Sequence, residues 1–253
     1  MPVLDGAQPY AHRGGPTAAL LCHGFTGTPQ ALRGWAEHLA AAGLTVSVPL
    51  LPGHGTTWQD MARTGWRDWY AAAERELTGL RESCDEVFVM GLSLGGCLAL
   101  RLAAHHPDTR GVVVVNPSLY PDNPLLRAGG VLKHLIPSVG AVADDVKAEG
   151  VHEVAYRRVP VPSAASLPEL WALTRRELPL VTQPVLAFFS AEDHVVGPRS
   201  RKVLRAHVGS EVTERVCADS YHVATLDNDA EMIFAESLEF VRSLATAGKG
   251  PSS

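Results

Sequence analysis

Short apolar runs alternate along this chain with stretches of helical period, the pattern of a parallel sheet covered by helices. TAALLCHGF (17–25) predicts a buried strand. GTPQALRGWAEHLAAAG (27–43) predicts a helix with Leu32, Trp35, Ala36, Leu39 and Ala40 on one stripe and Gly43 past its end. LTVSVPLL (44–51) is the next strand and runs into a PGHG turn. An amphipathic helix over 65–82 offers Trp66, Trp69, Tyr70, Leu77 and Leu80 to the sheet. DEVFVMG (85–91), TRGVVVVNP (109–117), QPVLAFFSAED (183–193) and EVTERVCADS (211–220) read as further strands, and GGCLALRLAAHHP (95–107) as a helix stopped before its proline. The last helix, 229–245, carries Ile233, Phe234, Leu238, Val241 and Leu244 on one face, and Asn228 with Glu231 makes a capping-box-like start.

Residues 121–182 break this rhythm with proline, glycine and short amphipathic pieces such as LLRAGGVLKHLIP and SLPELWALTRREL. The expected organisation is an α/β core over 1–120 and 183–247, an inserted cap over 121–182 above the strands' C-terminal ends, and a frayed tail at 248–253. Apolar cap positions Leu125, Leu126, Val131, Leu132, Leu135 and Ile136 are candidates to shelter an apolar ligand or to touch a membrane or micelle surface.

Composition narrows the partners. Charged residues make up 19% of the chain, the net charge is −5 and no basic run occurs, which argues against nucleic acid. No apolar stretch approaches the roughly 20 residues needed to cross a bilayer. The N-terminus lacks a charged-then-apolar leader, and the cysteines at 22, 84, 97 and 217 form no CxxC. A soluble, cytoplasmic protein is the expectation, with Cys22, Cys97 and Cys217 as buried small hydrophobes.

Candidate chemistry centres on VMGLSLGGC (89–97), where a serine stands between two glycines as a strand ends and a helix begins. Gly91 and Gly95 let strand and helix approach while a sharp turn lifts Ser93 clear of the sheet, at a helix N-terminus where developing negative charge is favoured. A serine hydroxyl needs a base. Among 11 histidines, His222 lies between the last strand and the last helix and follows the serine in chain order. His54 and His194 are the weaker alternatives, while His38, His105 and His106 read as solvent positions at helix ends. Asp193 ends the preceding strand as the acid, ahead of its neighbour Glu192, and Asp219 reads as a turn former. The oxyanion donors are assigned to the backbone N–H groups of Leu94 and of Phe25 in HGFTG (23–27), which leaves both side chains free to line a pocket. His23 reads as a structural tie for that loop.

HGFTGTP, LPGHGT, GLSLGG, SAEDHVV and SYHVATLDND together resemble the bacterial monoacylglycerol lipases and related carboxylesterases of the α/β-hydrolase fold. The resemblance runs from about residue 16 to 245 and is weakest over 121–150; its EDHVV and SYHVATLD segments are more specific than the elbow. It implies Ser93, Asp193 and His222 as the triad, Phe25 and Leu94 as oxyanion donors, and no metal or cofactor. It also implies Glu153, in GVHEVAY, as a ligand to glycerol hydroxyls. The implied activity is hydrolysis of monoacylglycerol to glycerol and fatty acid through an acyl-enzyme. A general short- or medium-chain carboxylesterase is the alternative, and a non-catalytic hydrolase-like receptor stands further off. The short stretch before the first strand departs from the family by leaving little chain for an opening hairpin, which bears on strand count.

Overall fold

A computed structural model describes residues 2–121, 136–140 and 144–245. Of the expected apolar cap positions, Leu125, Leu126, Val131, Leu132 and Leu135 lie outside the described residues, as does the tail. Strands β1 (Tyr10–His12), β2 (Thr17–Cys22), β3 (Thr45–Val48), β4 (Glu86–Leu92) and β5 (Val112–Val115) belong to one sheet. With β8 (Val185–Ser190) and β9 (Val212–Cys217) that sheet has seven strands in the order β1-β3-β2-β4-β5-β8-β9. Every pairing is parallel except β1 with β3, where Tyr10 faces Val48. The stretch before β2 therefore supplies a single three-residue edge strand, which settles the strand count that the short N-terminus left open.

Two apolar layers sandwich the sheet, because alternate strand residues point to opposite faces. Ala19, Leu21, Phe88, Met90, Val113 and Val115 pack with α1 (Arg33–Ala41) and α8 (Ala230–Leu244). Ala18, Leu20, Val87, Val89, Val112 and Val114 pack with α3 (Trp66–Ser83) and α4 (Leu94–His105). Trp35, Ala36 and Leu39 are buried on the stripe read from periodicity, and Gly43 follows at φ +93°. Trp66, Trp69, Leu77 and Leu80 are buried as expected, with Tyr70 partly so. All three apolar-context cysteines are buried.

Elements not foreseen include β1, the short helix α2 (Trp58–Met61), the hairpin of β6 (Ser138–Gly140) with β7 (Arg158–Pro160), and α7 (Pro198–His207). Helix α7 buries only Ser200 and Leu204, so it lacks the apolar stripe that exposes a helix to sequence reading. The hairpin leads into α5 (Val161–Ala164) and α6 (Leu167–Glu177), whose Leu170 and Trp171 join the α4 side of the core. The capping box at the last helix does not form: Asp229 is the N-cap, and the Asn228 amide donates instead to the Asp219 carbonyl at 3.0 Å. The Asp229 carboxylate makes no cap bond; its Oδ2 accepts instead from the Asp219 N–H and the Ser220 hydroxyl, both at 2.8 Å.

Strand order reverses direction at β2, whose neighbours are β3 on one side and β4 on the other. The loops after β2 and β4 diverge at such a switch point and open a crevice at the strands' C-terminal ends. HGFTG and Ser93 are the residues that occupy those two loops.

Candidate active site

Ser93 sits at φ 57° and ψ −116°, a conformation that costs an L-residue roughly 1–3 kcal/mol and persists only when its surroundings dictate it. The Ser93 N–H donates to the Val115 carbonyl at 2.9 Å, and the Ser93 carbonyl accepts from Cys97 and Ser118. The flanking glycines make the turn possible. A β-carbon on Gly91 would lie 2.3 Å from the Gly95 carbonyl carbon, and one on Gly95 would lie 1.8 Å from the Cys22 carbonyl oxygen. Any larger residue would force β2, β4 and α4 apart.

His222 and Asp193 meet from the loops after β9 and β8, with Nδ1 2.9 Å from Oδ2 and each side chain 8% exposed. Asp193 Oδ1 also accepts the N–H groups of Val195 at 2.8 Å and Val196 at 2.7 Å. Burial alone would raise the Asp193 pKa, but the His222 ring and these N–H groups outweigh it and hold the carboxyl below its ordinary 3.8. Burial alone would lower the His222 pKa. The Asp193 carboxylate outweighs it, helped by Glu153 and Asp145, and shifts the ring above 6.5. With Nδ1 engaged by Asp193, Nε2 is the ring atom free to exchange a proton. Ser93 lines the same cavity as His222; its hydroxyl makes no hydrogen bond to the ring among the described contacts.

The loop after β2 crosses directly over the serine: a β-carbon on Gly24 would touch the Ser93 β-carbon at 3.7 Å. Thr26, at φ 65°, bends the loop back, and its carbonyl accepts from the Tyr156 N–H at 3.1 Å. His23 is fully buried, and its Nε2 accepts the Leu51 N–H at 3.2 Å. Burial pushes its pKa down to about 4, so it stays neutral as a tie between the two loops. Phe25 lines the cavity and lies tilted against Trp69, the ring centroids 5.7 Å apart. The Leu94 N–H belongs to the first turn of α4, where N–H groups lack intrahelical acceptors. Its side chain does not line the cavity; it is buried in the core.

Phe25, Ser93, Asp193 and His222 share one cavity of about 630 Å³. Its walls divide by chemistry. Ile136, Val139, Val159, Val161, Ala164 and Leu167 form an apolar wall, whereas Glu153, Asp144, Asp145 and His194 gather at a polar one. Glu153 enters beside the loop after β2, where a β-carbon on Gly27 would fall 2.5 Å from its Oε1. Burial pushes the Glu153 carboxyl up to about 7, against the pull of His222. The rejected candidates also have clear places. His194 pairs with Asp145, His54 is buried with Nδ1 3.1 Å from the Pro52 carbonyl, and Asp219 pairs with Lys147. His106 is less free than its helix-end position suggested, because its Nε2 meets Glu74 at 3.0 Å.

Sequence reading missed Asn116. This buried residue follows β5 at φ 44°, and its amide donates to the His222 carbonyl and the Ser190 hydroxyl, both at 2.8 Å. Its Oδ1 accepts the Ser190 N–H, and the Ser190 hydroxyl reaches the Tyr221 carbonyl. An Asn directly after a valine run, before proline, was the available signal.

Residues 19–235 match the family model described as "Alpha/beta hydrolase family". The chain is 44% identical over 244 residues to the "Thermostable monoacylglycerol lipase" of Bacillus sp. (strain H-257), covering 94% of this chain and 96% of that one. It is 25% identical over 242 residues to a carboxylesterase of Bacillus subtilis (strain 168), covering 94% and 97%. A solved structure reported with the metagenome-derived lipolytic enzymes LipS and LipT superposes with a TM-score of 0.93 at 40% identity, covering 96% of this chain and all of that one. Strand order, elbow and family match converge: the chain belongs to the alpha/beta hydrolase family.

Proposed function

We propose that this protein is a serine ester hydrolase that cleaves monoacylglycerol to glycerol and fatty acid, with Ser93, His222 and Asp193 as its triad. The observation that carries the reading is the hydrogen-bonded His222–Asp193 pair in one cavity with a serine held at a strained elbow. Ser93 Oγ attacks the ester carbonyl while His222 Nε2 takes its proton. The Phe25 and Leu94 N–H groups receive the oxyanion. Collapse expels glycerol, protonated by His222, and leaves an acyl-serine. Water, deprotonated by the same ring, then releases the fatty acid and restores the serine.

Substrate choice follows from the two walls. The apolar wall suits an acyl chain, and Glu153 accepts hydrogen bonds from the vicinal hydroxyls of glycerol. Similarity to a thermostable monoacylglycerol lipase over 94% of the chain supports this choice. The described part of the inserted segment, residues 136–140 and 144–182, acts in this reading as a cap over the acyl chain. Ile136 and Val139 of the cap and Val195 of the loop after β8 are exposed apolar residues at the cavity, and the protein meets a membrane or micelle surface through them. Among the described residues no helix is long and apolar enough to cross a membrane, so such contact is peripheral. Liposome flotation tests it, and failure to associate removes it.

The deciding experiment is steady-state hydrolysis of monoacylglycerol, diacylglycerol and an aryl ester, with Ser93→Ala as control. Preference for monoacylglycerol, abolished in the variant, is expected. Aryl-ester turnover without glyceride preference assigns a general carboxylesterase instead, and binding without turnover a receptor.

A further inference from the structure

The loop that carries His222 is gripped from two directions. From the sheet, the Asn116 amide holds the His222 carbonyl. From the segment between β5 and β8, the Asp145 carboxylate holds the His222 N–H, with Oδ2 at 3.0 Å. The same oxygen lies 3.3 Å from the His194 N–H, and Oδ1 lies 2.8 Å from His194 Nδ1. His194 directly follows Asp193 in the chain. One carboxylate, 10% exposed, therefore touches both the residue that supplies the base and the residue next to the acid. The Asp145 carbonyl adds a further bond, accepting the Val223 N–H at 3.1 Å.

We propose that Asp145 is a positioning residue for ester hydrolysis, locking the acid loop and the base loop in register so that Asp193 and His222 keep their contact. The proposal rests on the reading of His222 and Asp193 as base and acid. The physical need is plain. The two side chains come from separate loops after neighbouring strands β8 and β9, and a small drift between those loops lengthens a bond whose strength depends on alignment. A charged acceptor suits the task, because N–H bonds to a carboxylate are shorter and stronger than those to neutral oxygen.

Its neighbours separate this role from simple anchoring. Asp227 does the anchoring: its carboxylate accepts the N–H groups of Lys147 at 2.7 Å, Ala148 at 2.9 Å and Tyr221 at 2.8 Å, docking the segment onto the base loop. Asp145 makes its contacts on His222 and His194 themselves. Asp144, next to it, accepts the Glu153 N–H at 2.7 Å. The inserted segment thus reaches the chemistry twice, through Asp145 to the triad loops and through Asp144 to the glycerol-side carboxylate.

The test compares Asp145→Ala and Asp145→Asn in the full chain, measuring kcat and KM for monoacylglycerol and the rate at which a fluorophosphonate labels Ser93. Asp145→Ala is expected to lower kcat and the labelling rate about ten- to a hundredfold, with KM within about threefold of the parent. Asp145→Asn, whose amide oxygen can take the Oδ2 place, is expected to recover kcat to within about threefold of the parent. A kcat for Asp145→Ala within about twofold of the parent overturns the proposal, as does a loss confined to KM, or an Asn variant no better than Ala. If Asp145→Ala does not fold, Asp145→Ser, too short to reach both loops, takes its place under the same criteria: a lowered kcat and labelling rate at near-parental KM supports the role, and a kcat within about twofold of the parent overturns it. Full activity in Ser93→Ala would instead remove the triad reading on which the proposal stands.

Discussion

Ser93 and His222, the proposed nucleophile and base, are held by different means. The conformation of Ser93 is set first by its own neighbourhood in sequence, where Gly91 and Gly95 flank it and the helix that stabilises its turn begins at the next residue; backbone bonds to Val115 and Ser118 then fasten the turn to β5. His222 is held from afar, by Asp145 at a separation of 77 residues and Asn116 at 106. A nucleophile needs one strained but rigid geometry, which a tight turn between packed elements supplies. A base must be aimed, and aim is set by whatever the tertiary structure brings alongside its loop.

The largest test of that contrast removes the acid. Asp193→Asn is expected to lower kcat about 10³–10⁴-fold by presenting an amide where the His222 Nδ1–H needs an acceptor. It also moves the acid limb of the rate profile. Activity needs neutral His222, so in the parent kcat/KM falls as pH drops through a value above 6.5; the variant loses the charge that raises that value, so its limb shifts to lower pH. A pH–rate profile that keeps the parent limb would contradict the pairing.

Gly95→Ala strikes the locally held side. Its β-carbon would meet the Cys22 carbonyl oxygen at 1.8 Å, so β2 or α4 must move. The expected cost is about 3 kcal/mol, read by denaturant unfolding, with turnover falling in the folded fraction. A variant of parental stability and activity would show that the close approach is not needed.

Asn116→Ala strikes the remotely held side. It leaves the His222 carbonyl and the Ser190 N–H without their partner, so kcat is expected to drop about tenfold to a hundredfold and stability by about 2 kcal/mol. Steady-state kinetics beside thermal melts check it; a stability loss with parental kcat would confine Asn116 to folding.

The smallest effect concerns the polar wall. Glu153→Gln is expected to raise KM for monoacylglycerol severalfold, about 3- to 30-fold, and to spare a simple alcohol ester. Because burial pushes the Glu153 carboxyl up to about 7, its acceptor form grows as pH rises through that value. Monoacylglycerol KM should therefore improve across that range in the parent and not in the variant. Equal losses on both esters would deny Glu153 a part in reading glycerol.

Most strands and the long helices were legible because each buries a regular apolar face, as Trp35, Ala36 and Leu39 do on α1. The elbow was legible because its requirement is steric and local. Helix α7, polar almost throughout, was not, and neither was the capping of the last helix, where Asp219 and Ser220 compete for Asp229. By itself the sequence determined the alternation of strands and helices, the serine at its turn, and the chain order of Ser93, Asp193 and His222. Each depends on residues within a few positions of one another or on the order in which elements are made. Only the tertiary structure decided that Asn116 and Asp145 grip the same histidine backbone from opposite sides, and that the Leu94 side chain is buried in the core while Phe25 lines the cavity. Those contacts join positions that no spacing rule connects, and they exist once packing has brought the strand ends and the inserted segment together.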